Sequence, residues 1–182
     1  MNLIQKKSLK QLLWIGIGAI VMFFAGLTSA YIVRKAEGNW LEFILPEWFL
    51  YSTIIIVLSS VLLIVAKSHL KKDKPVTLLI LATLLLGILF SYFQFRGWQN
   101  LTTQGIFLTG EGSNVAGSFL YVITLAHLVH LLGGLIALVV TLINAREGKY
   151  TSNNYLGFEL TSNYWHFLGL LWVYLFFFLK FF

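Results

Sequence analysis

The sequence predicts an all-α integral membrane protein, a bundle of five transmembrane helices. Of its 182 residues, 58% are hydrophobic and only 11% are charged, whereas about a quarter of the residues in soluble globular proteins are charged. Five apolar runs are each long enough for a helix that crosses a bilayer, which needs roughly 20 residues. No segment alternates in polarity as barrel strands do, so helices are the only spanning structure that remains.

The five runs follow one another as a single transmembrane domain over residues 1–182. Lysines and an apolar stretch ending near Thr28 and Ala30 give the first run some likeness to a signal peptide. Its length and the four runs behind it predict that it is retained. Pro46 and Pro75 stand where the second and third helices are expected to begin. The predicted spans cover residues 12–33, 48–66, 76–95, 115–143 and 156–179.

The distribution of basic residues predicts that the N-terminus is cytoplasmic and the C-terminus is outside. In this orientation nine of the 13 basic residues lie at cytoplasmic ends and four at outer ends, in agreement with the positive-inside rule. The cytoplasmic set is Lys6, Lys7, Lys10, Lys67, Lys71, Lys72, Lys74, Arg146 and Lys149, and the outer set is Arg34, Lys35, Arg96 and Lys180.

Charge and composition exclude several classes of function. The net charge of +6 does not indicate a nucleic-acid partner, because the basic residues flank apolar spans and leave no soluble domain to form a groove. The sequence has no cysteine, which excludes disulfides, thiolate metal sites and a cysteine nucleophile. It also contains no nucleophile elbow, phosphate-binding glycine loop or carboxylate pair. Nothing in the chain therefore resembles a self-contained catalytic centre, and the prediction is that no residue of this chain is catalytic.

Polar side chains within the spans are the candidate functional residues. His127 and His130 are three residues apart in the fourth span, so they share one helix face. Glu159 and His166 share a face of the fifth span, where Trp165 adds an indole donor. A charge at the centre of a membrane helix costs about 2.5–3.5 kcal/mol on insertion scales, so such groups are usually retained for a purpose. These five side chains are predicted to form an interhelical polar strip.

Three interpretations of this strip remain open. The side chains can hydrogen-bond to neighbouring helices, with about 0.6 kcal/mol from each bond. They can hold a haem or a metal ion, since neutral imidazole is a common ligand. They can also relay protons in a pump or transporter. A metal site has little support, because only three imidazoles lie within the spans and no acidic cluster completes a ligand shell.

The first span carries two further features. Arg34 and Lys35 follow it directly, where basic side chains can contact lipid head groups. Gly26 and Ala30 form a pair of small residues four apart, a spacing that predicts close approach of another helix.

Four segments, in order along most of the chain, resemble the motifs of subunit III of the haem-copper terminal oxidases, the family that includes cytochrome c oxidase subunit 3. The most specific is the closing signature, Glu159 followed by Tyr-Trp-His-Phe at 164–167 and by Trp172. The other segments are Met-Phe-Phe-Ala-Gly-Leu-Thr-Ser-Ala-Tyr at 22–31, Gln94 with Trp98, and Gly-Ser-Phe at 117–119 with His127, His130 and Gly133. The chain is similar to the five-helix, bacterial-type form of the family.

The sequence departs from the family pattern at three acids. Ile20 replaces a membrane-embedded glutamate, Gly97 replaces the glutamate of a Gln-x-x-Glu element, and Gly169 replaces an aspartate three residues after the final histidine. No carboxylate-specific role in proton handling is therefore carried over to this chain.

The resemblance implies an accessory, non-catalytic subunit of an oxidoreductase complex. Such a subunit holds no cofactor, packs on catalytic subunit I and other respiratory subunits, binds phospholipid and supports proton uptake, while haem and copper lie in its partners. Two observations agree with this: four histidines are too few for two haems and a copper, and a two-copper centre needs cysteine.

The expected location is the inner (plasma) membrane of the cell, with the mitochondrial inner membrane as the alternative. Subunit III of a quinol oxidase is the nearest alternative function. A cytochrome b-like haem carrier and a small membrane transporter are the alternatives outside the family.

Overall fold

The computed structural model describes residues 3–38, 40, 43–110, 113–152 and 154–182. Nearly all of these residues belong to five α-helices. Each helix has the length and the mean hydropathy of a membrane span, which confirms the predicted five-helix, all-α class. The helices are α1 (Leu3–Ala36), α2 (Glu47–Leu70), α3 (Thr77–Thr103), α4 (Val115–Arg146) and α5 (Leu156–Phe181).

The helices extend beyond the apolar runs that predicted them. α1 has 34 residues and is therefore about 51 Å long, whereas the hydrocarbon core is only about 30 Å thick. Hydropathy marks the part of a helix that contacts lipid, but backbone hydrogen bonding continues into the interface. The ends are set by local signals: Pro46 precedes α2, and the Asn114 side chain caps α4 by accepting from the Ala116 N–H at 2.7 Å.

Four of the helices form a closed ring. α2 packs on α3, α3 on α4, α4 on α5, and α5 on α2. Within the described part of the chain, α1 stands outside this ring and contacts α4 and α5 alone. The protein is thus a four-helix bundle with one peripheral helix.

Trp165 of α5 contacts the other three helices of the four-helix ring. Its indole is fully buried and its Nε1–H donates to Ser59 Oγ of α2 at 2.9 Å. A Cβ built on Gly87 of α3 would lie 2.6 Å from Trp165 Cη2, and one on Gly134 of α4 would lie 3.2 Å from Trp165 Cε3. These glycines make the space that the indole fills, so one residue contacts three neighbouring helices.

α1 contacts the bundle through a smaller apolar cluster of its own. Phe24 and Tyr31 of α1 are buried against Ile123 of α4 and Leu175 of α5. On the opposite face of α1, a Cβ added at Gly26 would meet no atom within 4 Å. The close helix approach predicted at Gly26 is therefore not seen among the described residues.

Candidate functional site

The seam between α5 and α2 is held by two indole donors. Trp165 Nε1–H donates to Ser59 Oγ and Trp172 Nε1–H donates to Thr53 Oγ1, both at 2.9 Å. Each hydroxyl in turn donates to a carbonyl of its own helix, at 2.7 Å in both cases. This arrangement satisfies the indoles and the hydroxyls without water, as the hydrocarbon region requires.

A third contact continues the seam to α3. Gln94 Nε2–H donates to Ser52 Oγ at 2.9 Å. The sequence interpretation noted Gln94 for its motif but missed the hydroxyls of α2 altogether. A signal was present, because Ser52 and Ser59 are seven residues apart in an otherwise apolar helix and thus share one face.

His127 lies fully buried among aromatic rings. Its ring centroid is 5.1 Å from that of Trp172, 5.9 Å from Phe90 and 6.4 Å from Phe24. Neither ring nitrogen has a hydrogen-bond partner among the described residues. The imidazole is thus packed as an aromatic body that connects α4 with α1, α3 and α5.

His130, one turn further along α4, is held differently. Its Nδ1–H donates to the Ala126 carbonyl at 2.7 Å, and its ring stands 5.6 Å from Phe24. The hydroxyl of Tyr164 in α5 donates to the His130 carbonyl at 3.2 Å. This contact joins α4 to α5 through the main chain of His130 and not through its imidazole.

Glu159 and His166 lie on the same face of α5 but have separate partners. Lys10 of α1 forms an ion pair with Glu159, with 2.8 Å between Nζ and Oε2. His166 Nε2 forms a hydrogen bond with Ser162 Oγ at 3.1 Å. The five predicted strip residues are therefore distributed over the α2–α5 seam, the aromatic cluster around His127 and the outer face of α5.

The two predicted lipid-contact residues lie at the far end of α1. Arg34 pairs with Glu37 at 3.2 Å, and Lys35 Nζ contacts the main-chain oxygen of Phe182. Arg34 also lines an open groove of about 640 Å³ between α1 and α4, together with Gly26, Val33 and Phe119.

A second groove, of about 340 Å³, separates α1 from α5 near the middle of the helices. Its lining is apolar except for the Tyr174 hydroxyl, which donates to Thr28 Oγ1 at 3.2 Å. The remaining lining residues are Val21, Phe24, Ala25, Phe167, Leu170 and Leu171.

Across the described residues, no three His, Cys, Asp or Glu side chains gather closely enough to hold a metal ion. The bonds of Trp165, Trp172, Gln94 and Tyr164 and the ion pair of Glu159 join helices to one another, whereas those of His130 and His166 lie within one helix.

Comparison with known proteins agrees with this description. The sequence model of the family described as cytochrome c oxidase subunit III matches residues 41–182. "Probable cytochrome c oxidase subunit 3" of Nocardia farcinica is 32% identical over 168 residues, which cover 86% of this chain and 79% of the relative.

Two more relatives extend the match over nearly the whole length. "Cytochrome c oxidase subunit 3" of Corynebacterium diphtheriae is 30% identical over 177 residues, covering 89% of this chain and 85% of the relative. "Probable cytochrome c oxidase subunit 3" of Mycobacterium tuberculosis is 30% identical over 178 residues with the same coverage. Together with the five membrane helices, these matches confirm the resemblance seen in the sequence. The chain belongs to the cytochrome c oxidase subunit III family, whose members are accessory subunits of a haem-copper oxidase and form a complex with its other subunits.

Proposed function

We propose that this chain binds the catalytic subunit of a cytochrome c oxidase and stabilises that subunit and its surrounding lipids. In this role it supports proton uptake by the catalytic subunit and carries no electrons itself. The observation that carries the proposal is the match to relatives named cytochrome c oxidase subunit 3 over 86–89% of the chain. Cytochrome c is proposed as the electron donor on the strength of those names alone, and quinol is the alternative electron donor. Haem and copper belong to the partner subunits in this proposal.

The supporting role agrees with how polar groups are used inside the bundle. The indoles of Trp165 and Trp172 are satisfied by hydroxyls of α2, and His127 is enclosed by aromatic rings. The two indoles are hydrogen-bonded and the His127 ring is packed against its neighbours, so these side chains fix the positions of helices in the part of the chain that the structure describes. The bundle therefore suits a rigid supporting role.

Bound phospholipid is part of the proposal, and the grooves beside α1 are its expected sites. An acyl chain fits the apolar groove between α1 and α5. At the outer end, Arg34 lies beside the groove between α1 and α4, where its guanidinium can contact a phosphate. Arg34→Gln is expected to lower the phospholipid that co-purifies with the complex, as measured by mass spectrometry. Arg96→Gln serves as the control, because this arginine belongs to α3 and its guanidinium lies over the Trp48 ring of α2.

We further propose that the chain lies in the plasma membrane of a bacterium with its N-terminus in the cytoplasm. The relatives named above are bacterial, and the loop lysines and arginines favour this orientation. Labelling of single cysteines introduced at Lys72 and Gly105 tests it, because the sequence contains no native cysteine. A membrane-impermeant reagent applied to intact spheroplasts is expected to label position 105 and not position 72.

The central test is purification of the tagged chain from its own membranes in mild detergent. We expect haem-containing oxidase subunits in the preparation and oxygen consumption with reduced cytochrome c. Oxygen consumption with quinol alone would favour the quinol oxidase alternative. A Soret band that stays with the chain after it is separated from all partners would contradict the proposal and favour a cytochrome b-like carrier. Solute flux through the lone chain in liposomes would favour a transporter.

A further inference from the structure

The outward-facing side of α5 carries polar side chains at membrane depth. Glu159, Asn163 and His166 are spaced by four and three residues, so they lie on one helix face. All three are half-buried in this chain and none is enclosed by it. Ser60 of α2 borders the same face, with its Oγ beside Gly169 of α5. These four residues are called the α5 polar face below.

Most of the hydrogen-bonding capacity of the α5 polar face is unused within the described residues. Glu159 is neutralised by Lys10, and His166 has one bond, from Nε2 to Ser162. The Asn163 amide, the His166 Nδ1 atom and the Ser60 hydroxyl have no hydrogen-bond partner in the described part of the chain. In hydrocarbon each unpaired group of this kind is unfavourable by several kcal/mol relative to water, and intramembrane polar side chains are almost always turned to a protein partner.

The depth of the α5 polar face in the membrane determines which kind of molecule can bind to it. Counting about 1.5 Å per residue from Leu156, Asn163 lies about 10 Å and His166 about 15 Å into the helix. With a core about 30 Å thick, His166 is close to the midplane, beyond the reach of head-group phosphates. An acyl chain reaches this depth but has no hydrogen-bonding groups. A second transmembrane helix reaches it and can supply them.

We infer that the α5 polar face is the surface on which a transmembrane helix of another oxidase subunit docks. Because the Asn163 amide, the His166 ring and the Ser60 hydroxyl can each donate or accept a hydrogen bond, the docking helix must present polar groups of its own, as serine, threonine, asparagine or carboxylate side chains or a freed main-chain carbonyl. The groove between α1 and α5 borders this face, because Leu170 in its lining lies one turn beyond His166 on the same side of α5. The groove between α1 and α4 is lined by those two helices and lies away from α5. Lipid is therefore one of the outcomes that the test distinguishes. This inference rests on the proposed function, since it needs an oxidase partner.

Site-directed photocross-linking in the intact complex tests the inference. A benzophenone-bearing amino acid replaces Asn163, and in a control protein it replaces Ile136, an exposed residue of α4. After illumination in native membranes, we expect the Asn163 protein to form an adduct with an oxidase subunit and the Ile136 protein to form mainly lipid adducts. Only lipid adducts at position 163, or oxidase adducts at position 136 alone, would overturn the inference.

Retention of the chain provides a second readout. Asn163→Leu and His166→Leu are each expected to lower the amount of chain that stays with the oxidase in stringent detergent roughly threefold, the effect of one lost membrane hydrogen bond. Asn144→Leu, a half-buried asparagine of α4, is the matched control. Unchanged retention in both α5 variants would overturn the inference even though the complex forms. Failure of the unsubstituted chain to bring down any oxidase subunit would instead refute the proposed function.

Discussion

Placing a methyl group at Gly87 tests whether the Trp165 indole is the element that sets the spacing of the four-helix ring. In Gly87→Ala, the new Cβ would lie 2.6 Å from Trp165 Cη2 and 2.8 Å from Leu135 Cδ2. Favourable carbon–carbon contacts are about 3.5–4.0 Å, so the indole must move by about 1 Å. Its movement is opposed by Gly134 on α4 and by the bond from Nε1 to Ser59.

The expected change in stability follows from two opposing effects. Overpacking a well-packed core costs about 1–3 kcal/mol, while alanine is favoured over glycine in a helix interior by about 1 kcal/mol. Gly87→Ala should therefore lower the free energy of unfolding by about 0–2 kcal/mol. Gly26→Ala carries the same propensity gain without the collision, because its Cβ meets no atom within 4 Å, and should leave stability unchanged or slightly raised.

The assay is SDS-induced unfolding of the purified chain in detergent micelles, followed by tryptophan fluorescence. The informative quantity is the difference between Gly87→Ala and Gly26→Ala, because it cancels the propensity gain and isolates the collision. Combining Gly87→Ala with Trp165→Phe removes the colliding ring edge, so the two changes should be less destabilising together than the sum of their separate effects. Equal stability of the two glycine variants would refute this account of the ring.

Three other substitutions probe the remaining polar contacts. Trp172→Phe removes the donor to Thr53 and should reduce the free energy of unfolding by about 0.6 kcal/mol or more, measured by SDS titration. Glu159→Gln removes the ion pair with Lys10, which is partly exposed, and should cost no more than about 1 kcal/mol while loosening α1, as measured by proteolysis of its first turns. His127→Leu replaces an imidazole whose nitrogens have no partner in the described residues, so thermal stability should be unchanged or higher.

Each of these expectations has an outcome that contradicts it. Trp14→Phe, on an exposed position of α1, should be silent, and an effect equal to that of Trp172→Phe would show that the Thr53 bond adds nothing. If Lys10→Glu combined with Glu159→Lys did not restore protection of α1, the ion pair would not be what holds it. A loss of more than about 2 kcal/mol in His127→Leu would reveal a hydrogen-bonded partner for the imidazole.

The polar residues within the spans show which features of the site could be predicted from the sequence. Their spacing placed His127 and His130 on one face of one helix, and Glu159 and His166 on one face of another. It did not place the aromatic rings around His127, because Phe24, Phe90 and Trp172 come from three different helices. It also missed Ser59 and Thr53, since serine and threonine are common in membrane helices and only the indoles opposite give these two a distinct role.

The glycines at which helices pack closely were also not predicted from the sequence. Gly26 with Ala30 matched a known spacing for close helix approach, yet in this chain that face of α1 is open. Close contacts occur instead at glycines such as Gly87 and Gly134, where no local pattern distinguishes a glycine that faces an indole from one that faces lipid.

The sequence by itself determined the class of protein, the number of spans and the family, because each depends on properties carried along the chain. A hydrophobic run either matches the bilayer thickness or does not, and an ordered set of motifs can be read without knowing how the helices pack. The tertiary structure alone decided that four helices close into a ring around Trp165, that α1 stands outside it, and that part of α5 turns polar groups outward. These features depend on contacts between residues far apart in the sequence, such as Ser59 with Trp165. Within lipid such pairings are chosen by shape and hydrogen bonding, and the hydrophobic pattern of a single helix does not encode them.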